Sequence, residues 1–266
     1  MNSDVISAFD RAPLRAVLLR EIRGSLSSRY FQVFCAIALA GGIAAIAFAD
    51  EASAASLFLL QIALYFVSLF ALLLGVNSAR AESEEWPLLF SQPVPRSAYL
   101  LGKFLALSFI FAAASVLLFL PALFTSRPAQ VVLLYLHTAE LTYVFIALGL
   151  AAGFLARERV QGLILAVATW LFLLLGFDLV ALFGAQLPLL QKVPDLWVSA
   201  LMLNPLDAFR IQALFAMEQI PAEAANKTPL AAWWLAHPGL WFSLLCPIWI
   251  STLLTITARR LARWED

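Results

Sequence analysis

Long apolar runs dominate this chain, and its polar residues collect in the gaps between them. Six runs are long enough to cross a bilayer, at roughly 31–49, 55–78, 99–124, 130–156, 160–184 and 237–258. Crossing about 30 Å of hydrocarbon takes ~20 residues of helix. The bilayer core holds no water, so each backbone N–H and C=O must be satisfied within its own segment, which makes every run a helix. Period-two alternation is absent, which argues against a β-barrel. Ahead of the first run, residues 4–28 place Val5, Ile6, Phe9, Leu14, Val17, Leu18 and Ile22 in turns among arginines. That pattern predicts an amphipathic helix in the headgroup plane, apolar side in lipid and arginines on phosphates. The prediction is an all-α polytopic membrane protein. An interfacial helix occupies 1–30, a six-helix transmembrane domain 31–258 and a short tail 259–266.

Two gaps are longer than a turn requires. The first, 79–98, reads ARAESEEWPLLFSQPVPRSA. Glu82, Glu84 and Glu85 suit the positive end of a short helix, Pro87 suits its first turn, and Pro93 and Pro95 stop it. Trp86 with Leu88, Leu89 and Phe90 fits a helix that docks on a cytoplasmic partner, or equally a loop whose Trp86 anchors at headgroups. The second gap, 185–235, has too few serial apolar residues for two more spans. Its 195–219 stretch is helical in pattern but interrupted at Asn204-Pro205, which predicts two short helices dipping into the outer membrane face. Asp207 is placed to cap the second of them. Trp197, Trp233, Trp234 and Trp241 form an interfacial aromatic belt. In the first run, Gly41-Gly42 permits close helix approach.

Charge fixes the topology. Arg11, Arg15, Arg20, Arg23, Arg29, Arg80, Arg96, Lys103, Arg157, Arg159, Arg259, Arg260 and Arg263 lie in every second gap. Only Arg127, Lys192, Arg210 and Lys227 fall in the others. The positive-inside rule then puts both termini in the cytoplasm of a bacterial cell, with the chain in its inner membrane. Composition agrees: 63% of residues are hydrophobic and 13% charged, against about half and about a quarter in soluble domains. A formal net charge of zero gives no global attraction to nucleic acid. The polar, basic first 30 residues carry no cleavable signal pattern. Cys35 and Cys246 sit inside apolar runs and read as small hydrophobes in helix packing.

Ionisable groups inside a span are functional candidates by default. His137 and Glu140 share one face of the fourth run, where they can pair, relay protons or contact a polar cargo. His137 is also near enough to the outer end to snorkel to water. Asp178, near the outer end of the fifth run, has the same two readings. Gln61 and Asn77 on the second run read as interhelix hydrogen-bond partners. Met202 and Met217 offer thioethers suited to Cu(I), but two so far apart read better as packing, and no metal site is expected. Nucleotide-binding, metalloprotease and serine-hydrolase motifs do not occur.

Glu82-x-Glu84-Glu85-x-x-Leu88-Leu89, then Gln92-Pro93-x-x-Arg96, then Tyr99-Leu100-Leu101-Gly102-Lys103 resembles the stretch after the second span in type-2 ABC transporter permeases. Trp86-Pro87 stands where that family carries Gly-Thr. The outer stretch Leu203-Asn204-Pro205-Leu206-Asp207-Ala208-Phe209-Arg210 is similar to one in the branch serving copper-processing systems that mature nitrous oxide reductase. The resemblance implies a homodimer bound to two cytoplasmic ATP-hydrolysing subunits, which hold the ATP and Mg; this chain carries no cofactor and is not itself an enzyme. It implies that 82–90 is the coupling helix touching the ATPase, and that Arg20 and Arg23 support the interfacial helix among membrane lipids. Asn204, Pro205, Asp207, Phe209 and Arg210 would then form an outer gate or the seat of a periplasmic accessory protein. Two other readings compete. One is a type-2 exporter of a lipid, glycan or peptide. The other is a standalone proton-coupled carrier or intramembrane enzyme built on His137, Glu140 and Asp178.

Overall fold

A computed structural model describes residues 11–47, 52–81, 86, 95–124, 128–184, 186, 194–217 and 229–263. Helix α1 (Arg11–Ser27) bends at Ser28 into α2 (Arg29–Ile46), the first span. The second span joins α3 (Ala52–Gln61), a π-helical turn (Ile62–Val67) and α4 (Ser68–Ala81). The third is α5 (Arg96–Phe119), closed by a 3₁₀ turn at Pro121–Phe124, and the fourth is α6 (Pro128–Leu155). The fifth joins α7 (Arg159–Leu171), a second π turn (Phe172–Gly176) and α8 (Phe177–Gly184). Short helices α9 (Pro194–Leu203), α10 (Pro205–Ala216) and α11 (Pro229–Ala236) lead to α12 (Pro238–Ala262), the sixth span. Six stretches are long and apolar enough to cross a membrane: Arg29–Ile46, Ala54–Ala81, Arg96–Phe124, Pro128–Leu155, Arg159–Val180 and Pro238–Ala262. They fall within a few residues of the runs read from the sequence. The chain is an all-α, multi-pass membrane protein.

Packing explains the order of the spans around α6. Lipid is as apolar as leucine, so helix association rests on close contact. Gly149 of α6 supplies it: a methyl there would lie 2.1 Å from the carbonyl oxygen of Leu72 on α4. Gly75 is the reciprocal position, with a methyl 2.7 Å from the Ile146 carbonyl. The crossing is therefore backbone against backbone. Gly42 does the same for the first span, but against the carbonyls of Leu117 and Leu118 at the end of α5. The fifth and sixth spans lie outermost, with Phe172, Leu175, Phe183, Leu244 and Ile248 exposed on their apolar faces.

The π turns were not legible in the hydropathy pattern. A π turn shifts the hydrogen-bond ladder by one residue and leaves backbone groups for other partners. Ser68, just after the first turn, accepts from Nε1 of Trp170, just before the second, at 2.9 Å. The pair ties the second span to the fifth. Asn77 accepts from Arg159 at 3.2 Å, an interhelix bond as expected, whereas Gln61 is exposed.

Candidate functional site

Basic side chains organise the end of the bundle that carries α1, the α4–α5 connection and the end of α12. The last carbonyls of a helix lack intrahelical donors and carry the negative end of its dipole. Arg80, at the end of α4, reaches the freed carbonyls after α6, donating from Nη1 to Arg157 O at 3.2 Å and from Nη2 to Ala156 O. Arg96, which opens α5, donates to Leu261 O and Ala262 O at the end of α12. Lys103, two turns further along α5, is fully buried. Its Nζ is paired with the Glu21 carboxylate of α1 and donates to the Ser78 carbonyl at 3.1 Å. Ser78 Oγ in turn donates to Glu21 at 2.8 Å. One buried cluster thus joins α1, α4 and α5. Arg20 and Arg23 point outward from α1, away from the Glu21 face.

The 82–90 segment starts and ends between these anchored helices. Glu82, Glu84, Glu85, Leu88, Leu89 and Phe90 lie outside the described residues. Trp86 is described and is turned inward. It is 4% exposed, stacks on Phe154 of α6 at 5.5 Å and lies under the Arg80 guanidinium at 5.1 Å. Tyr99 meets the same Phe154 edge-on at 6.4 Å. The Trp86 side chain therefore fastens the segment to the fourth span, and neither headgroups nor a partner can reach most of it.

A second polar network sits at the opposite end, where α9 gives way to α10. Pro205 has no N–H and breaks the helix. The cap of α10 is Asn204 rather than Asp207: its Oδ1 accepts from Leu206 N at 3.1 Å. Asp207 is three residues past the cap, already inside the helix, so its carboxylate looks back at the cap side chain. Asn204 Nδ2 donates to Asp207 at 2.5 Å and to Leu173 O, inside the second π turn, at 2.7 Å. Arg210 then donates to Asp207 at 2.6 Å and to Asp178 of α8 at 3.2 Å. Burial pushes the Asp207 carboxyl up to about 6, against the pull of Arg210 and Asn204. Two groups that the sequence kept apart, Asp178 and the Asn204–Arg210 stretch, are therefore one unit. Only Arg210 and Asp178 of this unit reach the surface; Asn204, Pro205, Asp207 and Phe209 are buried. The break also strands carbonyls at the end of α9, and the last span satisfies them: Trp241 donates to Met202 O at 2.8 Å and Trp249 to Leu203 O at 3.0 Å.

His137 and Glu140 share a face of α6, yet each takes a partner elsewhere. His137 Nδ1 lies 3.1 Å from the Gln212 amide of α10, and Glu140 accepts from Ser243 of α12 at 3.0 Å. Gln212 and Ser243 carried no sequence signal. Met202, Met217 and Cys246 are buried in the apolar core. Among the described residues, no three His, Cys, Asp or Glu side chains converge on a point.

Six spans, helices anchored by arginine around a connection at one end, and a braced helix break at the other make a polytopic all-α membrane protein. The sequence comparisons place it further. The model of the ABC-2 family transporter proteins matches residues 31–258, and the chain belongs to that family. Two relatives are each described as a probable ABC transporter permease protein NosY. The one from Pseudomonas aeruginosa is 30% identical over 212 residues, covering 74% of this chain and 76% of its own. The one from Stutzerimonas stutzeri is 28% identical over 218 residues, covering 76% and 79%. A permease of this class works with an ATP-binding subunit.

Proposed function

We infer that this chain is the membrane half of a dimeric, ATP-driven machine of the bacterial inner membrane, with both termini in the cytoplasm. A separate cytoplasmic subunit hydrolyses ATP and holds the Mg. The 82–90 segment receives that subunit's motion through Glu82, Glu84, Glu85, Leu88, Leu89 and Phe90. The observation that carries this reading is the anchoring of both flanks of that segment. Arg80 and Trp86 bind one flank to α6, and Arg96 and Lys103 bind the other to α12 and α1. A push on such a segment is delivered to α1, α6 and α12 at once. At the far end, the Asn204–Asp207–Arg210–Asp178 unit links the dipping helices to the π turn of the fifth span, so a moving fifth span would carry Arg210 with it.

The likeness of Leu203–Arg210 to the copper-processing branch, together with the two NosY relatives, supports a role in maturing the copper site of nitrous oxide reductase. In that role, Arg210 and Asp178 face a periplasmic accessory protein. Purification of the tagged chain from its native host in mild detergent tests the whole reading. An ATP-binding subunit at one-to-one supports it, and a periplasmic protein in the same complex supports the copper branch. A chain that purifies alone across several detergents would overturn it. Leu89→Asp should release the ATPase and leave a folded permease; stoichiometric ATPase retained by that variant would refute the docking assignment.

A further inference from the structure

Three arginines from two spans converge on a pocket of about 250 Å³ at the end of the bundle that carries the α4–α5 connection. Arg157 stands just past the end of α6, and Arg260 and Arg263 close the end of α12. Phe154, Leu155 and Ala156 complete the lining. The three arginines are exposed, whereas Phe154 is buried. The volume falls below the ~300–1,000 Å³ usual for organic ligands and suits one small head group.

The ordinary task of arginines at a helix end is to satisfy its last carbonyls and offset the negative end of its dipole. Here other residues already do so. Arg80 donates to Ala156 O and Arg157 O after α6, and Arg96 donates to Leu261 O and Ala262 O at the end of α12. Arg157, Arg260 and Arg263 are surplus to that need, and among the described residues none of them is in an ion pair. Like charges held around one small pocket repel each other, and an anion between them relieves the repulsion. Arg80 adds a fourth positive charge behind the wall; it is buried, and its Nε has no hydrogen-bond partner among the described residues. The guanidinium fork matches a phosphate, which can accept two parallel N–H···O bonds from each arginine.

The surroundings of the pocket select the source of the phosphate. Leu155 in its lining is exposed, and so is Ile256, one turn before Arg260 on the same face of α12. Both residues belong to membrane spans, so in a bilayer they meet acyl chains directly beneath the head groups. We propose that this pocket binds the phosphate of an anionic phospholipid. The phosphate sits among Arg157, Arg260 and Arg263, and the acyl chains descend past Leu155 and Ile256. A zwitterionic head brings its own ammonium, which the arginines repel, so an anionic head is preferred. The bound lipid bridges the ends of the fourth and sixth spans. The site lies at the opposite end from the Asn204–Arg210 unit and does not depend on the copper-maturation reading.

The test places the full chain in phosphatidylcholine nanodiscs with a trace of phosphatidylglycerol that carries a diazirine in its acyl chain. After illumination, labelled peptides are identified by mass spectrometry. Label should concentrate near Leu155 and in the second half of Pro238–Ala262. Unlabelled phosphatidylglycerol should displace it and phosphatidylcholine should not. Arg260→Gln should lower the label about fivefold, the effect of one basic residue at an anionic head group. Arg259→Gln removes the same charge one residue away, on a face of α12 that lines a different groove with Ser251 and Thr255, and should change the label little. Arg157→Gln, Arg260→Gln and Arg263→Gln together should abolish the preference for phosphatidylglycerol. Equal effects of Arg259→Gln and Arg260→Gln mean a diffuse surface charge and overturn the proposal. Label with no preference for phosphatidylglycerol, the result if a carboxylate of the chain itself fills the pocket, overturns it as well. Displacement by millimolar inorganic phosphate overturns the lipid assignment in favour of a soluble phosphate compound.

Discussion

Lys103 and Glu21, 82 residues apart in the chain, form an ion pair in which the lysine is wholly buried. An isolated charge in that position would be prohibitive, so the pair must form for α1 to settle on α5. Ser78 shares the pair from α4, and the Tyr99 ring lies 5.3 Å from the ammonium. The cluster is thus a specific address for the first helix.

Removing one partner should cost far more than removing both. Lys103→Met leaves the Glu21 carboxylate buried without its cation, a loss of about 3–5 kcal/mol. Lys103→Met with Glu21→Leu restores an apolar contact and should regain most of that stability. Thermal unfolding of the detergent-solubilised protein reads both. A double variant as unstable as the single one would show that the charges themselves, rather than the uncompensated charge, are what matters. If α1 also transmits motion, the stable double variant should still lower ATPase coupling.

The helix crossing at Gly149 admits a sharper contrast. Gly149→Ala places a methyl 2.1 Å from a backbone oxygen that cannot move without displacing α4, which predicts a loss of ~1–3 kcal/mol or more from overpacking. Gly24→Ala in α1 meets nothing within 4 Å and replaces a poor helix former, so it should be neutral or gain ~0.5–1 kcal/mol. The two melting temperatures, measured side by side, check the close-packed crossing directly. Similar shifts for both would contradict it.

Much of this architecture is visible in the sequence, and the reason the rest is not can be stated residue by residue. Hydropathy locates the spans because bilayer thickness dictates their length. Asn204-Pro205 locates the helix break because proline lacks the required N–H. Charge placement predicts a membrane orientation but says nothing of partners. Arg80, Arg96 and Lys103 look alike as flanking charges, yet the two arginines cap distant helices and the lysine is sealed in an ion pair. A faint signal for the third existed: Glu21 is the only acidic residue between Arg11 and Ser28, and of the charges flanking the third run Lys103 stands furthest toward it. Asp178 and Arg210 meet only because the short helices before the last span fold back on the fifth span, and no spacing rule foretells that.

Asp207 lies in α10, outside the six spans, and its carboxyl makes stability depend on pH. Its ordinary value of 3.8 is raised to about 6 by burial, so the folded state holds the proton more tightly than the unfolded one. The stabilisation from that proton is complete below about 3.8 and is lost as pH rises through about 6. Its size is on the order of 2–3 kcal/mol. Unfolding measured from pH 4 to 7 should show this falling limb in the wild type, and Asp207→Asn should flatten it. A limb that survives Asp207→Asn must come from another group.

Trp86 and Leu89 are three residues apart in the 82–90 segment, and opposite outcomes are expected from changing them. Trp86 is buried against Phe154 and the Arg80 guanidinium, so Trp86→Ala opens a cavity in the permease itself and should cost ~3–5 kcal/mol. Trp86→Phe keeps a ring on Phe154 and should recover most of that. Leu89→Asp, if Leu89 faces the ATPase, should leave the melting temperature within about a degree or two of wild type and abolish co-purification. Melting temperature and bound ATPase, measured on the same preparations, separate the two roles. A Trp86→Ala protein as stable as wild type but free of ATPase would move Trp86 from the permease interior to the docking face. Loss of both properties on changing either residue would mean that the segment folds only against its partner.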